Sequence, residues 1–437
     1  MTIFVAENKP KQSIMDSNAK ITNKIKLQIS KFSGIISKGF TKPKRRLIKE
    51  LIFGIQASKD VKLSNIARSL KENIPLIKTE DRLSRNLDDV DFTDSINDTI
   101  SRIASNKILK DTVLALDPGE IVKPYAKKME NLCRVRDGSK SEIANGYWLC
   151  QVVGSNITDN DAIPLYNTAY SQEAVDFKSA NAEIIKAIDT VSNHIENRGI
   201  WTIDRGGDNV LFFRKFIEET KKFVIRIKQN RDVIHDNKTL NIRTFANGFK
   251  CNHKAKIRYF KEGKEKVKNI SYGSTTIKIN DLKDQEINLV IIKGFGQVPM
   301  LLFTNKMVND IIPETVWKIV EIYLTRWKCE EVFRYTKQSY NLEDVRVRSY
   351  IGIRNIVVLV LAIAYFTSIY IGKNLKLKMI FEKIFFISKR FFGIPVFYNY
   401  AMADGIYNCL YSNKYGIEYI TKKTPTMPKN QLELLFE

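Results

Sequence analysis

The sequence predicts a mixed α/β protein with helices at both ends and a strand-rich middle. Three observations predict it. Apolar residues recur at helical spacing in the first hundred residues, as at Leu63, Ile66, Ala67 and Leu70. From Lys107 short apolar runs divided by turn signals take over, among them TVLALD, GYWLCQVVG and IPLYNTAY. After Pro313 the pattern is helical again. At 437 residues the chain has room for two to three domains.

Residues 1–20 are polar and are expected to be a mobile N-terminus. KGFTKPKRRLIKE then carries six basic residues in thirteen and runs into the amphipathic LIKELIFGIQ. VKLSNIARSLKEN follows, with Ser64 or Asn65 able to begin its helix, and TEDRLSRNLDD starts a third, with Thr79 as a candidate cap. Residues 21–106 thus read as a helical domain. Three short helices behind a basic approach suit a helix-turn-helix-like DNA-binding module, with Lys44, Arg45 and Arg46 as candidate DNA contacts. A plain helical bundle that buttresses the rest is the other reading.

Residues 107–345 read as the principal α/β domain, in the order βββαβαβ. A helix is expected over about 176–196, then strand WTID, helix NVLFFRKFIEET and strand FVIRIK. Two apolar runs end on acids: TVLALD on Asp117 and GIWTID on Asp204, each followed by a glycine-containing turn (DPG, DRGG). Sites in open α/β sheets gather at such strand ends, although Asp before Gly is also ordinary turn chemistry. Residues 231–306 interrupt the domain with short β-runs in which basic residues outnumber acidic ones. A helix is then expected from Pro313, a first-turn residue, to about Tyr340. On it Tyr323, Arg326, Glu330 and Lys337 stand at spacings of three, four and seven. At 3.6 residues per turn they fall within roughly 60° of one face, while Glu331 points about 100° away. One carboxylate flanked by a phenol and two cations can hold metal and phosphate. Arg326 and Glu330 could also form an ordinary helical ion pair.

A formal charge of +23 and a pI near 9.6 call for a polyanionic partner. The five cysteines are scattered without a CxxC pair, which argues against a disulfide scaffold or zinc site and for a reducing cytoplasm. Three histidines supply little His-based chemistry, which leaves the carboxylates. MTIFVAENKPKQ has no apolar core of a secretory signal. Residues 356–372, IVVLVLAIAYFTSIYIG, are short for a membrane span and read as a buried core helix, so no membrane partner is expected. KMIFEKIFFISKRFF is a basic amphipathic segment within a helical C-terminal region, 346–437.

The pattern Y-x2-R-x3-E-x6-K matches the signature of the IS4-type family of DDE transposases without a mismatch. Asp117 and the D-R-x-x-D run at Asp204 resemble the other parts of that family's catalytic centre. The resemblance covers roughly residues 107–345, and the strand and helix order is that of a ribonuclease-H-like fold. It implies a cut-and-paste transposase that cleaves transposon ends, through a hairpin, and transfers strands into a target. It implies Asp117, Asp204 and Glu330 as the catalytic triad holding two magnesium or manganese ions, and Tyr323, Arg326 and Lys337 as DNA-phosphate contacts. Residues 231–306 resemble the family's β-rich insertion, which helps grip the DNA end. No Trp occurs there, so Phe249, Tyr259, Phe260, Tyr272 or Phe295 would have to stack on an extruded base. The implied partners are double-stranded DNA, as inverted repeats and target, and a second copy in a homodimer on DNA. The implied location is the bacterial cytoplasm, at the nucleoid when bound. A nuclease or resolvase of the same fold, or a DNA-binding protein that no longer cuts, are the alternatives.

Overall fold

Ile21, Ile25, Ile29, Phe32 and Ile36 recur every three or four residues and are all buried, which gives α1 (Lys11–Ile36) a continuous apolar stripe. The computed structural model describes residues 11–158, 161–261, 264–282, 285–372, 398–411 and the single positions 382, 384, 416 and 417. Two units form. One comprises Met1–Ile96, Tyr125–Leu132 and Tyr335–Glu437; the other comprises Asn97–Pro124 and Cys133–Arg334.

The helical unit continues with α2 (Lys42–Ser58), α3 (Leu63–Leu70), α4 (Leu76–Asp89) and the first residues of α5 (Thr93–Ala104). Residues 11–20, expected in a mobile terminus, are the first turns of α1 instead. The expected caps are also displaced. α3 starts after Lys62 and α4 after Pro75, neither making a side-chain cap. Thr79 instead donates its hydroxyl to Glu72 at 2.8 Å, inside a buried ion network. α2 and α3 pack closely because position 54 is glycine: a Cβ there would lie 2.4 Å from a methyl of Ile66.

In the sheet unit the strands are β1 (Val113–Val122), β2 (Cys133–Asp137), β3 (Glu142–Ser155), β4 (Ala162–Tyr170), β5 (Ile200–Ile203) and β6 (Lys222–Arg226). Between them lie α6 (Ala180–Ser192), capped by Ser179, and α7 (Val210–Glu218), capped by Asn209. The strands β7 (Asp232–His235) and β8 (Lys238–Asn241), helix α8 (Ile242–Gly248), and β9 (His253–Lys261), β10 (Lys264–Lys278), β11 (Glu286–Lys293) and β12 (Met300–Thr304) follow. The insertion expected over 231–306 does not stand apart. β12 pairs antiparallel with β6, so the strand order β2-β3-β1-β5-β6-β12-β11-β10-β7-β8 runs through one sheet, with β4 on β3 and β9 on β10. The buried face made by Val224, Val290, Ile292 and Leu302 receives Val316, Ile319, Val320 and Tyr323 of α9 (Pro313–Thr325).

The helix expected as one piece from Pro313 to Tyr340 is two: α9 and α10 (Trp327–Tyr340), meeting at Arg326. Arg326 keeps helical angles (φ −51°, ψ −30°), but its N–H and that of Cys329 bond three residues back, to Tyr323 and Arg326. The ladder tightens there without a sharp turn.

The helical unit closes with α11 (Tyr350–Tyr365), a π-turn over Phe366–Ile371, and α12 (Asn399–Tyr411). Tyr350–Ile371 is long and apolar enough to cross a membrane by length and composition, yet 89% of its most apolar window is buried inside the protein. Phe32 of α1 packs on Tyr365, Phe366 and Tyr370. Asn355 accepts from the Phe92 amide and donates to the carbonyls of Leu87 and Val90. Most of 378–392, read as a basic amphipathic segment, and most of 412–437 lie outside the described residues.

Candidate active site

β1 and β5 run parallel, and their register pairs Leu116 with Ile203. The next residues are Asp117 and Asp204, so two carboxylates arrive side by side at the same end of adjacent strands. Asp204 leaves its strand at once, and its Oδ1 accepts from the Gly206 amide at 2.7 Å. Asp117 does not end a strand, contrary to the sequence reading. β1 runs on to Val122 against β3, and DPG is extended chain. Gly119 answers packing rather than a turn, since a Cβ there would meet the Phe333 ring at 2.7 Å. The second acid of the D-R-x-x-D run, Asp208, is structural. It accepts from the Lys228 amide at 2.9 Å and from Arg231 Nε at 2.7 Å, fixing the start of the segment after β6.

Arg326 joins the third carboxylate to the first. Its Nη1 donates to Asp117 at 3.2 Å and its Nη2 to Glu330 at 2.7 Å. Arg326 is 7% exposed; its guanidinium lies 5.8 Å from the Tyr323 ring centroid and leaves its Nε without a partner. Burial works against its charge, but Asp117, Tyr323 and Glu330 outweigh that and hold it protonated. Asp117 shows the opposite balance. Burial pushes its carboxyl up to about 7; Arg326 opposes, while Glu330, Asp204 and Glu120 add to the rise. One cation among several carboxylates leaves negative charge uncompensated.

The donor set fits a hard divalent ion: two Asp and one Glu, all oxygen. Gln151, opposite Asp117 across the β1–β3 ladder, also buries an Oε1 with no partner. Among the described residues, however, no three potential ligands are drawn tightly enough to share one ion. Arg326 already holds two of them. The helical ion pair that sequence spacing allowed does form, and it extends to Asp117.

The remaining expected site residues separate. Tyr323 is 3% exposed and belongs to the core under α9. Lys337 lies in the helical unit, where it pairs with Glu343 at 2.9 Å. Of the three basic residues of α2, Lys44 is buried, donating to the Asn86 carbonyl and pairing with Asp89 at 2.8 Å. That removes it from the expected DNA contacts. Arg46 pairs with Glu50 and Glu72, whereas Arg45 is exposed. Among the stacking candidates, Tyr272 is buried against Trp317 and His253, Phe249 packs on Phe245, and Phe295 lies near the Lys268 ammonium. The side chains of Tyr259 and Phe260 are outside the described residues. The sequence reading missed Trp327, which is 59% exposed and follows Arg326 directly. Its signal was present: a Trp beside the signature Arg, off the Glu330 face.

Residues 165–367 match the family model described as the transposase DDE domain. The match takes in Asp204, Tyr323, Arg326, Glu330 and Lys337 and begins after Asp117. A search of curated protein sequences finds no match. Among solved structures, the chain is similar to a piggyBac transposase synaptic complex with hairpin DNA. That likeness has 12% identity and a TM-score of 0.42, covering 95% of this chain and 83% of the other.

Proposed function

We propose that this chain, whose residues 165–367 match the family model of the transposase DDE domain, is a cut-and-paste transposase of the IS4 type with a ribonuclease-H-like catalytic core. The enzyme breaks and rejoins phosphodiester bonds of DNA. The observation that supports the finer reading is that Arg326 bridges Asp117 and Glu330 while Asp204, on the strand beside Asp117, acts on the Asp117 carboxyl.

Asp117, Asp204 and Glu330 would hold two magnesium or manganese ions. Bound there, such ions supply charge stabilisation for the attacking and leaving oxygens of an in-line displacement. The chain's own residues do the rest. β1 and β5 fix Asp117 and Asp204 at one depth, and α10 brings Glu330 to them. Arg326 keeps Asp117 and Glu330 together and, once released, presents a planar fork to phosphate oxygens. Tyr323 supports that fork from below, and Lys337 contributes a point charge to the DNA. Trp327 offers an exposed ring on which a displaced base can stack. The substrates are transposon-end inverted repeats, opened through a hairpin, and target DNA, handled by a homodimer. The apolar α11 is core rather than membrane span, and the protein works in the cytoplasm. Carbonate extraction that left the active protein in a membrane pellet would overturn that placement.

The deciding experiment incubates the purified chain with the inverted repeats flanking its own gene, target plasmid and magnesium. End cleavage followed by joined product is expected. Cleavage without joining would make it a nuclease or resolvase of the same fold; binding without either would make it a silent DNA-binding protein.

A further inference from the structure

Five basic residues crowd the start of α2, and the structure sorts them. Lys44 and Arg46 are committed to the helical unit's own acids. Lys42, Arg45 and Lys49 are not: among the described residues none of the three has an ion-pair partner. They stand at i, i+3 and i+7, within about 60° of one face. That face forms one wall of a groove of about 280 Å³. The opposite wall is α1, through Ser30, Ser33, Gly34 and Ser37. A Cβ at Gly34 would meet nothing within 4 Å, so this wall is open. Ser33 and Ser37 turn their hydroxyls into α1, donating to the carbonyls of Ile29 and Ser33. No carboxylate lines the groove.

We propose that this α1–α2 groove binds the phosphate backbone of duplex DNA, with Lys42, Arg45 and Lys49 as the contacts. Three like charges on one helix arc repel one another until an anion joins them. The groove also meets the start of α2, where Thr41 makes no side-chain cap. Its charges extend over about 10 Å of helix axis, or about three steps of 3.4 Å along one DNA strand. That spread suits a strand of phosphates better than one small anion. The inference deepens the transposase reading and rests on it for the identity of the polyanion.

The test measures binding of the full chain to a duplex of arbitrary sequence by fluorescence anisotropy across a salt series. Removing a single phosphate-binding side chain should flatten the log–log salt slope by about 0.9. The triple variant K42A/R45A/K49A should lose about 2.7 from that slope and bind at least tenfold more weakly at low salt. K78A, a single charge removed from exposed α4, should leave both nearly unchanged. Circular dichroism melts check that all variants fold. An unchanged slope in the triple variant would overturn the proposal. So would a groove that takes only inorganic phosphate, seen as a phosphate-induced rise in melting temperature that the triple variant loses without any change in DNA binding. Because the duplex carries no inverted repeat, failure of the transposase reading would appear separately, in the cleavage assay.

Discussion

In the helical unit, Glu50 and Glu72 share Arg46 and Arg82, two carboxylates to two guanidiniums, at 2.6 to 2.9 Å. In the sheet unit a single guanidinium, Arg326, holds Asp117 and Glu330, and Asp204 adds its charge beside Asp117. Burial pushes Glu72 up, but bonds from Thr79 and Arg82 and the charges of Arg82 and Arg46 outweigh it and hold it low. Burial pushes Asp117 up as well, and there burial, helped by the neighbouring acids, carries it to about 7 against Arg326. The same chemistry thus serves two ends. A balanced cluster is finished when the chain folds. An unbalanced one keeps a demand for positive charge, which the divalent ions of the proposed site would meet.

The largest expected effect separates the clusters by what each is for. Asp117→Asn, Asp204→Asn and Glu330→Gln should each cut end cleavage by about a thousandfold or more, by analogy with losing a principal electrostatic group, while DNA binding persists. Wild-type nicking in magnesium by any of them would remove that residue from the triad. Glu50→Gln should leave chemistry alone and unfold the helical unit more easily. Glu50 has a side chain 2% exposed but its arginine partners reach solvent, so the loss should be that of hydrogen bonds to a charged group, about 1.5–3 kcal/mol. Urea unfolding of the full chain reads this. A midpoint equal to wild type would show that the balanced cluster is not structural.

The pH response should have opposite signs in the two clusters. Asp117 holds its proton more tightly folded than unfolded, so its contribution to stability is complete below the unfolded value of about 3.9. It disappears as pH climbs through about 7. Glu72 is depressed, so its contribution is present above the unfolded value and lost as pH falls through the folded one. Melting curves in chelator across this range should show Asp117→Asn losing a pH-dependent fall that Glu72→Gln retains. A wild-type profile for Asp117→Asn between pH 4 and 7 would refute the assignment.

Much of this was legible in the chain because it is local. Strand and helix periods placed β1, β3, β4, β5, β6, α6 and α7, and the Tyr323-to-Lys337 spacing marked the third acid. What stayed hidden depends on pairing across distance. Nothing local says that β12 returns to β6 and merges the expected insertion into the main sheet. Asp117 looked like a strand end because its parallel neighbour β5 stops there, while its antiparallel neighbour β3 continues. Lys44 looked like its exposed neighbours, since basic composition does not say which ammonium finds Asp89 and the Asn86 carbonyl. The buried stripe of α1 is periodic in the chain, but it begins only at Ile21, behind a mostly polar run that carries no local sign of joining the same helix.

The smallest effect is the most diagnostic of the unbalanced cluster. If Arg326 shares Asp117 and Glu330 with divalent ions, its bridge must open for them to bind. Arg326→Gln should therefore bind manganese about tenfold more tightly than wild type without DNA, equivalent to about 1.4 kcal/mol. Manganese electron paramagnetic resonance reads this directly, and the metal-induced rise in melting temperature should grow in parallel. Arg326→Lys keeps the charge but cannot span two carboxylates with a planar fork, so it should fall between. That order distinguishes a displaced bridge from diffuse repulsion, under which the Lys variant would match wild type. Asp117→Asn serves as the control that manganese sits at the triad, since it should bind poorly whatever stands at position 326. Arg326→Gln binding manganese no better than wild type, with that control satisfied, would mean that the guanidinium and the ions never compete and that Arg326 is as structural as Arg82.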